Sequence, residues 1–265
     1  MKNRREVTLE EMRTIQLDIL DKIHDYCEKN NLRYSLSGGT LLGAVRHQGY
    51  IPWDDDIDIM MPRPDYEKFF ANFNGAYKDL TAQYYKNDKT ISYVFGKVYN
   101  NKTELIEDNL DRTGVFVDVF PIDGMPDTIE DTLSFRKKTL LFLEALKKTV
   151  QYFKFRKGPL LKLKYYIKIL YYPPRQKTIL EYDKLLRTIP FDEKEYAGVI
   201  CGQYGIKERL RKNVFKTYID LPFEGKMRKC IKHYDEYLSS LYGNYMELPP
   251  ESERVRHHLH KSYWK

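Results

Sequence analysis

Cysteine is scarce in this 265-residue chain. Cys27, Cys201 and Cys230 are an odd number, far apart, and without the paired spacing of a zinc site, which excludes a disulfide-stapled scaffold and points to reduced thiols in the cytosol. No run approaches the roughly 20 apolar residues that a bilayer-spanning helix needs. The opening Met1-Lys2-Asn3-Arg4-Arg5-Glu6 leads into a charged helical pattern instead of an apolar segment, so no signal peptide is expected. Glycine and proline are ordinary at 14 and 12, and there is neither an internal repeat nor a low-complexity tract. With 42% hydrophobic and 14% aromatic residues, the chain is neither disordered nor collagen-like. Its length suffices for one large domain or two modest ones with a substantial core.

What the chain does have is an uneven charge. Its net charge is +7. Residues 132–178 hold thirteen Lys or Arg against one acid, Glu144, so this stretch carries +12 and leaves −5 for the rest. Bulky apolar residues alternate with the lysines there, as on basic amphipathic helices that rest on anionic membranes. A helical lobe whose apolar stripe packs on the core, with its lysines solvated, is a compatible reading. Nucleic acid is not expected as a partner, because no binding motif accompanies the patch.

Local signals give a coarse map. Thr8-Leu9-Glu10-Glu11 has the form of a capping box, and Met12, Ile15, Ile19, Ile23 and Tyr26 recur at helical spacing up to a stop at Asn30-Asn31. Residues 32–36 alternate as a short strand, Gly38-Gly39 breaks it, and a short helix follows with Thr40 near its N-cap. A helix is predicted over 65–73, and strands over 81–86, 91–99 and 115–120, the last ending at Pro121. Strands dominate residues 32–120 and helices the remainder, with a break at Tyr172-Pro173-Pro174. The fold class is α+β: a catalytic core over 1–130, a basic helical region over 131–178, and a mostly helical C-terminal region over 179–265.

The most informative segment is Trp53-Asp54-Asp55-Asp56-Ile57-Asp58-Ile59. Four carboxylates in five positions repel one another and call for positive charge. On a strand, Asp54, Asp56 and Asp58 share one face while Ile57 and Ile59 enter the core. Two such carboxylates suit a pair of hard cations, and Mg²⁺ commonly joins protein carboxylates to substrate phosphates. Asp118, alone in the apolar run Val115-Phe116-Val117-Asp118-Val119-Phe120, is costly to bury without a cation or a hydrogen-bonding partner. It is the candidate third carboxylate and a candidate general base. Upstream, Gly38, Gly39 and Thr40 offer a close backbone approach and a helix start to a phosphate, and Arg46, His47 and Lys97 are candidates to neutralise a diphosphate.

These segments resemble the nucleotidyltransferase superfamily. The stretches Gly39-Thr40-Leu41-Leu42-Gly43-Ala44-Val45-Arg46-His47, Ile51-Pro52-Trp53-Asp54-Asp55-Asp56-Ile57-Asp58 and Val117-Asp118-Val119-Phe120-Pro121-Ile122-Asp123-Gly124 more narrowly resemble the LicD family, as do Leu221-Pro222-Phe223-Glu224-Gly225 and Tyr242-Gly243-Asn244-Tyr245-Met246. The resemblance implies a nucleotidyltransferase-like mixed sheet with flanking helices, to which the basic helical lobe is an addition. It also implies two Mg²⁺ on three carboxylates, here Asp56, Asp58 and Asp118; Asp54 is a further candidate ligand from its place on the shared strand face. The implied reaction moves phosphocholine, or a related phospho-alcohol, from a CDP-linked donor such as CDP-choline to a sugar hydroxyl of a teichoic acid or other surface glycan, releasing CMP. A choline group would be met by an aromatic face, for which Trp53 and Tyr50 flank the acids; core packing is the competing role of Trp53. Arg254 and His257 are candidates to return to the site and bind phosphate, and a solvated tail competes with that reading. A lipid-linked acceptor would place a cytoplasmic enzyme peripherally at the inner membrane face. The rivals are a true nucleotidyltransferase, which moves the NMP half and releases pyrophosphate, and a non-catalytic basic membrane-binding module.

Overall fold

In the computed structural model, residues 4–89, 91, 93–106, 112–154, 174–254 and 261–265 are described. The capping box forms: the Thr8 hydroxyl accepts from the Glu11 N–H at 3.2 Å and the Glu11 carboxylate accepts from the Thr8 N–H at 3.0 Å. It opens α1 (Leu9–Asn30), which Asn31 closes in the left-handed conformation at φ 53°. The chain continues through β1 (Ser35–Leu36), α2 (Gly38–His47), β2 (Asp58–Pro62), α3 (Arg63–Asn72), β3 (Leu80–Gln83), β4 (Gly96–Asn100), β5 (Thr103–Ile106), β6 (Arg112–Thr113) and β7 (Phe116–Met125). Then come α4 (Ile129–Lys154), α5 (Arg175–Leu186), β8 (Tyr196–Gly198), β9 (Leu210–Arg211), β10 (Tyr218–Phe223), β11 (Lys226–Ile231), α6 (Tyr234–Tyr242) and β12 (Lys261–Trp264).

The central sheet has the order β1-β2-β7-β4-β3, with β8 continuing from β7 and β9 from β8. Only β2 and β7 run parallel; the other pairs are antiparallel, so the sheet is mixed, as α+β predicts. Helices α1 and α3 pack against it, and Ile59, Val98, Val117 and Val119 are fully buried. Each such side chain contributes about 1.5–3 kcal/mol on burial. That is enough in sum to offset crowding carboxylates on the opposite face.

Several boundaries differ from the sequence reading. Helix α2 begins at Gly38, with Ser37 as N-cap instead of Thr40; Gly38, at φ +50°, turns the chain there without strain. The ladder of β2 starts only at Asp58, because side chains of α1 bind the preceding carbonyls: Arg13 donates to Asp54 O at 2.7 Å and Gln16 to Asp55 O at 3.0 Å. Pro121 does not end β7. The Asp118 N–H points toward the β2 side, donating to Ile57 O at 3.0 Å, so the position of Pro121 puts its missing N–H on the other side, where β4 has already ended.

The region after residue 178 is mixed, not mostly helical. Besides α5 and α6 it supplies β8 and β9 to the central sheet, the hairpin β10–β11, and β12, which pairs with β5. The hairpin turns on Glu224 and Gly225 with φ of 49° and 76°, the left-handed pair that matches the strand twist. One hydrophobic cluster joins residues from Val7 to Tyr245. No helix among the described residues is long and apolar enough to cross a membrane. Much of the basic stretch, residues 155–173, and the expected break at Tyr172-Pro173 lie outside the described residues.

Candidate functional site

The register of three neighbouring strands assembles the centre of the site. Asp58 on β2 lies opposite Asp118 on β7, and Asp118 lies opposite Lys97 on β4, so all three leave the same face of the sheet. The Lys97 ammonium is 3.3 Å from the Asp118 carboxylate and also 3.2 Å from the centroid of the Phe116 ring. The predicted alternation holds from Asp54 onward: Asp54, Asp56 and Asp58 are half-buried on one side, while Asp55, Ile57 and Ile59 are buried on the other. Two contacts fix Asp58: its N–H donates to the Thr40 hydroxyl at 2.9 Å, and its carbonyl accepts from the Ser37 N–H at 3.0 Å. Thr40 therefore serves the acidic strand directly.

Gly39 makes room for a carboxylate, whereas a Cβ on Gly38 would lie at ordinary contact distance from one. A methyl group on Gly39 would sit 2.9 Å from Asp54 Oδ2, and one on Gly38 would sit 3.9 Å from Asp58 Oδ2. Asp56, Asp58 and Asp118 line one cavity of about 220 Å³ together with Ser37 and Gly38. Burial first, then repulsion from Asp56, Asp118 and Asp54, pushes the Asp58 carboxyl well above the usual carboxylate range, and Lys97 pulls the other way. This is a donor set short of positive charge, and it fits a hard divalent cation. Among the described residues no three His, Cys, Asp or Glu side chains are gathered tightly enough to cage a metal by themselves. An ion here would take part of its coordination from ligand or water oxygens, as Mg²⁺ commonly does.

Other predicted residues do not reach the cavity. Tyr50 is buried, with its hydroxyl donating to Gln16 at 3.0 Å, the Arg13 guanidinium over its ring and Phe223 beside it; that leaves it no face for choline. Trp53 packs edge-on to His47, and Arg254 lies over its ring at 5.4 Å. Arg46 donates to the Tyr245 carbonyl at 2.8 Å and to His47 Nε2 at 2.9 Å. Burial and the Arg46 charge hold the His47 imidazole below its ordinary pKa, in keeping with its acceptor role. Arg254 donates to the Pro249 carbonyl at 2.9 Å. Arg46, His47, Trp53 and Arg254 thus tie the C-terminal segment to α2, and His257 lies outside the described residues.

The remaining cavity wall comes from residues that the sequence reading did not single out for the site. Phe95 and Phe120 line it, and so do Tyr204, Glu208 and Tyr237. The Tyr237 hydroxyl stands 3.3 Å from Ser37 Oγ, accepts from the Gly38 N–H at 3.4 Å, and donates to Glu208 at 3.4 Å. Glu208 is buried, which pushes its carboxyl up to about 8 against the pull of Tyr237, the Val199 backbone and Arg136. Nothing in the local pattern around Gln203-Tyr204-Gly205 or Tyr237 signals a site. These residues lie far downstream of Asp58 and Asp118 in the chain.

The chain is similar to known proteins along nearly its whole length. A family model described as LicD/FKTN/FKRP, nucleotidyltransferase domain, matches residues 31–162. The lipopolysaccharide cholinephosphotransferase LicD of Haemophilus influenzae is 32% identical over 278 aligned residues, covering 98% of this chain and 99% of that protein. An uncharacterized protein of Rickettsia typhi is 45% identical over 62 residues, 23% of this chain and 20% of that protein. The human ribitol 5-phosphate transferase FKRP is 56% identical over 32 residues, 12% of this chain and 6% of that protein. With a relative this similar over nearly the whole of both chains, the chain belongs to the LicD family.

Proposed function

We propose that this protein is a LicD-type transferase that moves phosphocholine from CDP-choline to a sugar hydroxyl of lipopolysaccharide or another surface glycan, releasing CMP. The observation that carries this reading is the pairing of Asp58 with Asp118 across β2 and β7, facing a cavity beside the glycine start of α2. The full-length similarity to a cholinephosphotransferase supports the chemistry. Asp56, Asp58 and Asp118, with Asp54 adjoining, are the residues that would hold Mg²⁺, one ion or two. Bound there, the metal would neutralise charge on the donor diphosphate. Asp118 accepts the proton of the attacking hydroxyl, Lys97 steadies the Asp118 carboxylate, and α2 presents backbone N–H groups to the phosphate. Positioning and charge neutralisation supply most of the acceleration. The nucleotidyltransferase-like core belongs to this proposal.

Incubating the protein with Mg²⁺, CDP-choline and a panel of glycan acceptors tests the reaction. CMP release together with acceptor-bound phosphocholine is expected. Pyrophosphate release from a nucleoside triphosphate would favour the nucleotidyltransferase rival. Asp58→Asn is expected to abolish turnover while leaving the fold intact; normal Mg²⁺-dependent turnover of that variant would sink the assignment.

We also propose peripheral contact with anionic lipid at the inner leaflet, where a lipid-linked acceptor would be met. On α4, Leu133 and Leu141 are 53% and 62% exposed beside exposed Lys137 and Lys138, the mixture that interfacial helices carry. Co-sedimentation with vesicles that increases with anionic lipid and falls with salt is the expected result. Sedimentation indifferent to both would remove this element.

A further inference from the structure

We infer that the wall formed by Phe95, Phe120 and Tyr204 is a subsite for a quaternary ammonium group. The inference rests on the phosphocholine reading of the same cavity and assigns the recognition of choline to cavity-lining residues other than Trp53 and Tyr50.

On β7, Val117 and Val119 face the core, while Phe116 and Phe120 flank Asp118 on the half-buried face. The Phe120 ring packs on Phe95 with centroids 4.6 Å apart, and Phe95 in turn stacks on Tyr93 at 4.8 Å. This aromatic group already holds one cation. The Lys97 ammonium lies over Phe116, 5.2 Å from the Tyr93 centroid and 5.9 Å from that of Phe95. Lys97, Tyr93 and Phe116 are not part of the cavity wall; Phe95 and Phe120 are.

Tyr204 also lines the cavity, and its hydroxyl is engaged with that of Tyr242 at 2.7 Å. It offers the cavity its ring, whose Cε2 comes within 4.0 Å of where a side chain on Gly38 would begin. Among the described residues no Lys, Arg or His lines the cavity, whereas Asp56, Asp58, Asp118 and Glu208 do. Lys97, which pairs with Asp118, is not part of that lining, so the wall itself is aromatic and acidic, a combination that favours a positively charged ligand. A quaternary ammonium, which cannot donate a hydrogen bond, is attracted to ring faces by their quadrupole. Metal held by the aspartates would then leave the rings as the surface on which the choline end rests.

The test compares phosphocholine with its uncharged carbon isostere, 3,3-dimethylbutyl phosphate, by calorimetric titration into the full chain with Mg²⁺, for wild type, Phe120→Leu and Phe95→Leu. Wild type is expected to bind phosphocholine about tenfold more tightly than the isostere, and each leucine variant to lose most of that preference. The isostere's own affinity should change little. Equal binding of the two ligands by wild type, or binding of neither, overturns the inference without need of a variant. So does a preference that survives in both leucine variants. Turnover of CDP-choline, measured in parallel, judges the transfer reaction separately. A protein that prefers phosphocholine but transfers none of it would keep this subsite and lose the proposed function.

Discussion

Asp58 and Asp118 are register partners on adjacent parallel strands, which fixes two carboxylates side by side at about the 4.8 Å spacing of neighbouring strands. At that distance two unit charges repel by about 3 kcal/mol at an effective dielectric of ~20. The fold tolerates this because the opposite faces of both strands are packed into the core. The site thus stores unfavourable electrostatics that a cation held there would relieve.

One consequence concerns Asp58→Asn. The folded-state pKa of Asp58 is raised, so its favourable proton-bound state is lost as pH rises through that value, and wild-type stability falls with it. Asparagine removes the charge. In chelator, Asp58→Asn is therefore expected to be more stable than wild type by roughly 1–3 kcal/mol at alkaline pH, with the gain shrinking toward acid. If the proposed site holds Mg²⁺, wild type is expected to gain Tm on adding the ion and Asp58→Asn to lose that gain. Thermal melts at several pH values, with EDTA and with Mg²⁺, measure both effects.

A second consequence concerns Thr40, whose hydroxyl accepts the Asp58 N–H at 2.9 Å. Thr40→Val keeps the shape but leaves a buried donor without its partner, at a cost of about 1–3 kcal/mol. Thr40→Ser keeps the bond. Turnover should fall in the valine variant through kcat, because Asp58 moves, and should be largely retained in the serine variant. Equal activity of the two would show that the hydroxyl does not hold the acidic strand in place.

A third consequence is a pH dependence at Glu208. Its carboxyl is raised from 4.5 to about 8 by burial, so the folded state holds a proton that the unfolded chain has released. Stability is complete below about pH 4.5 and declines by up to about 1.4 kcal/mol per pH step as pH climbs toward 8. Glu208→Gln keeps the volume and the acceptor for Tyr237. Denaturant melts should find the variant close to wild type at pH 5 and clearly more stable at pH 9. Parallel curves for the two proteins would contradict the assignment.

What the sequence disclosed here was local. The capping box, the inward run of Ile57 and Ile59, and the shared face of Asp54, Asp56 and Asp58 follow from periodicities of 3.6 and 2, and the structure has them. Asp118 stood out because a lone carboxylate in an apolar strand demands a partner. The register that pairs it with Asp58 and Lys97 is a property of strand pairing across tens of residues. The same limit explains Trp53 and Tyr50: adjacency to the acids suggested a choline face, but Arg254 and Arg13 cover those rings. The strands after residue 178 carry no comparable local signal: the hairpin turns on Glu224 and Gly225, and glutamate is not a residue that marks a left-handed turn position.

The last consequence separates two aspartates of one motif. Asp118 faces the cavity, but Asp123, five residues on in the same strand, is buried against Arg63, which donates to its two oxygens at 2.6 Å each. The Arg63 guanidinium also reaches Asp183 of α5 at 3.2 Å, and Asp183 keeps Tyr85 and Arg187 at 2.5 Å. This network ties β7 to the start of α3 and to α5, behind the site. Removing one member strands a buried charge: Arg63→Met is expected to cost about 3–5 kcal/mol, a drop in Tm on the order of 10 °C for a chain of this size. Adding Asp123→Leu to Arg63→Met removes the orphaned charge, and since Asp183 retains its other partners, the double variant should recover much of the loss. Neither change touches the cavity, so kcat/KM of the folded fraction should stay near wild type at low temperature. If Arg63→Met lost activity while its melting temperature held, the network would be part of the reaction centre and not its scaffold.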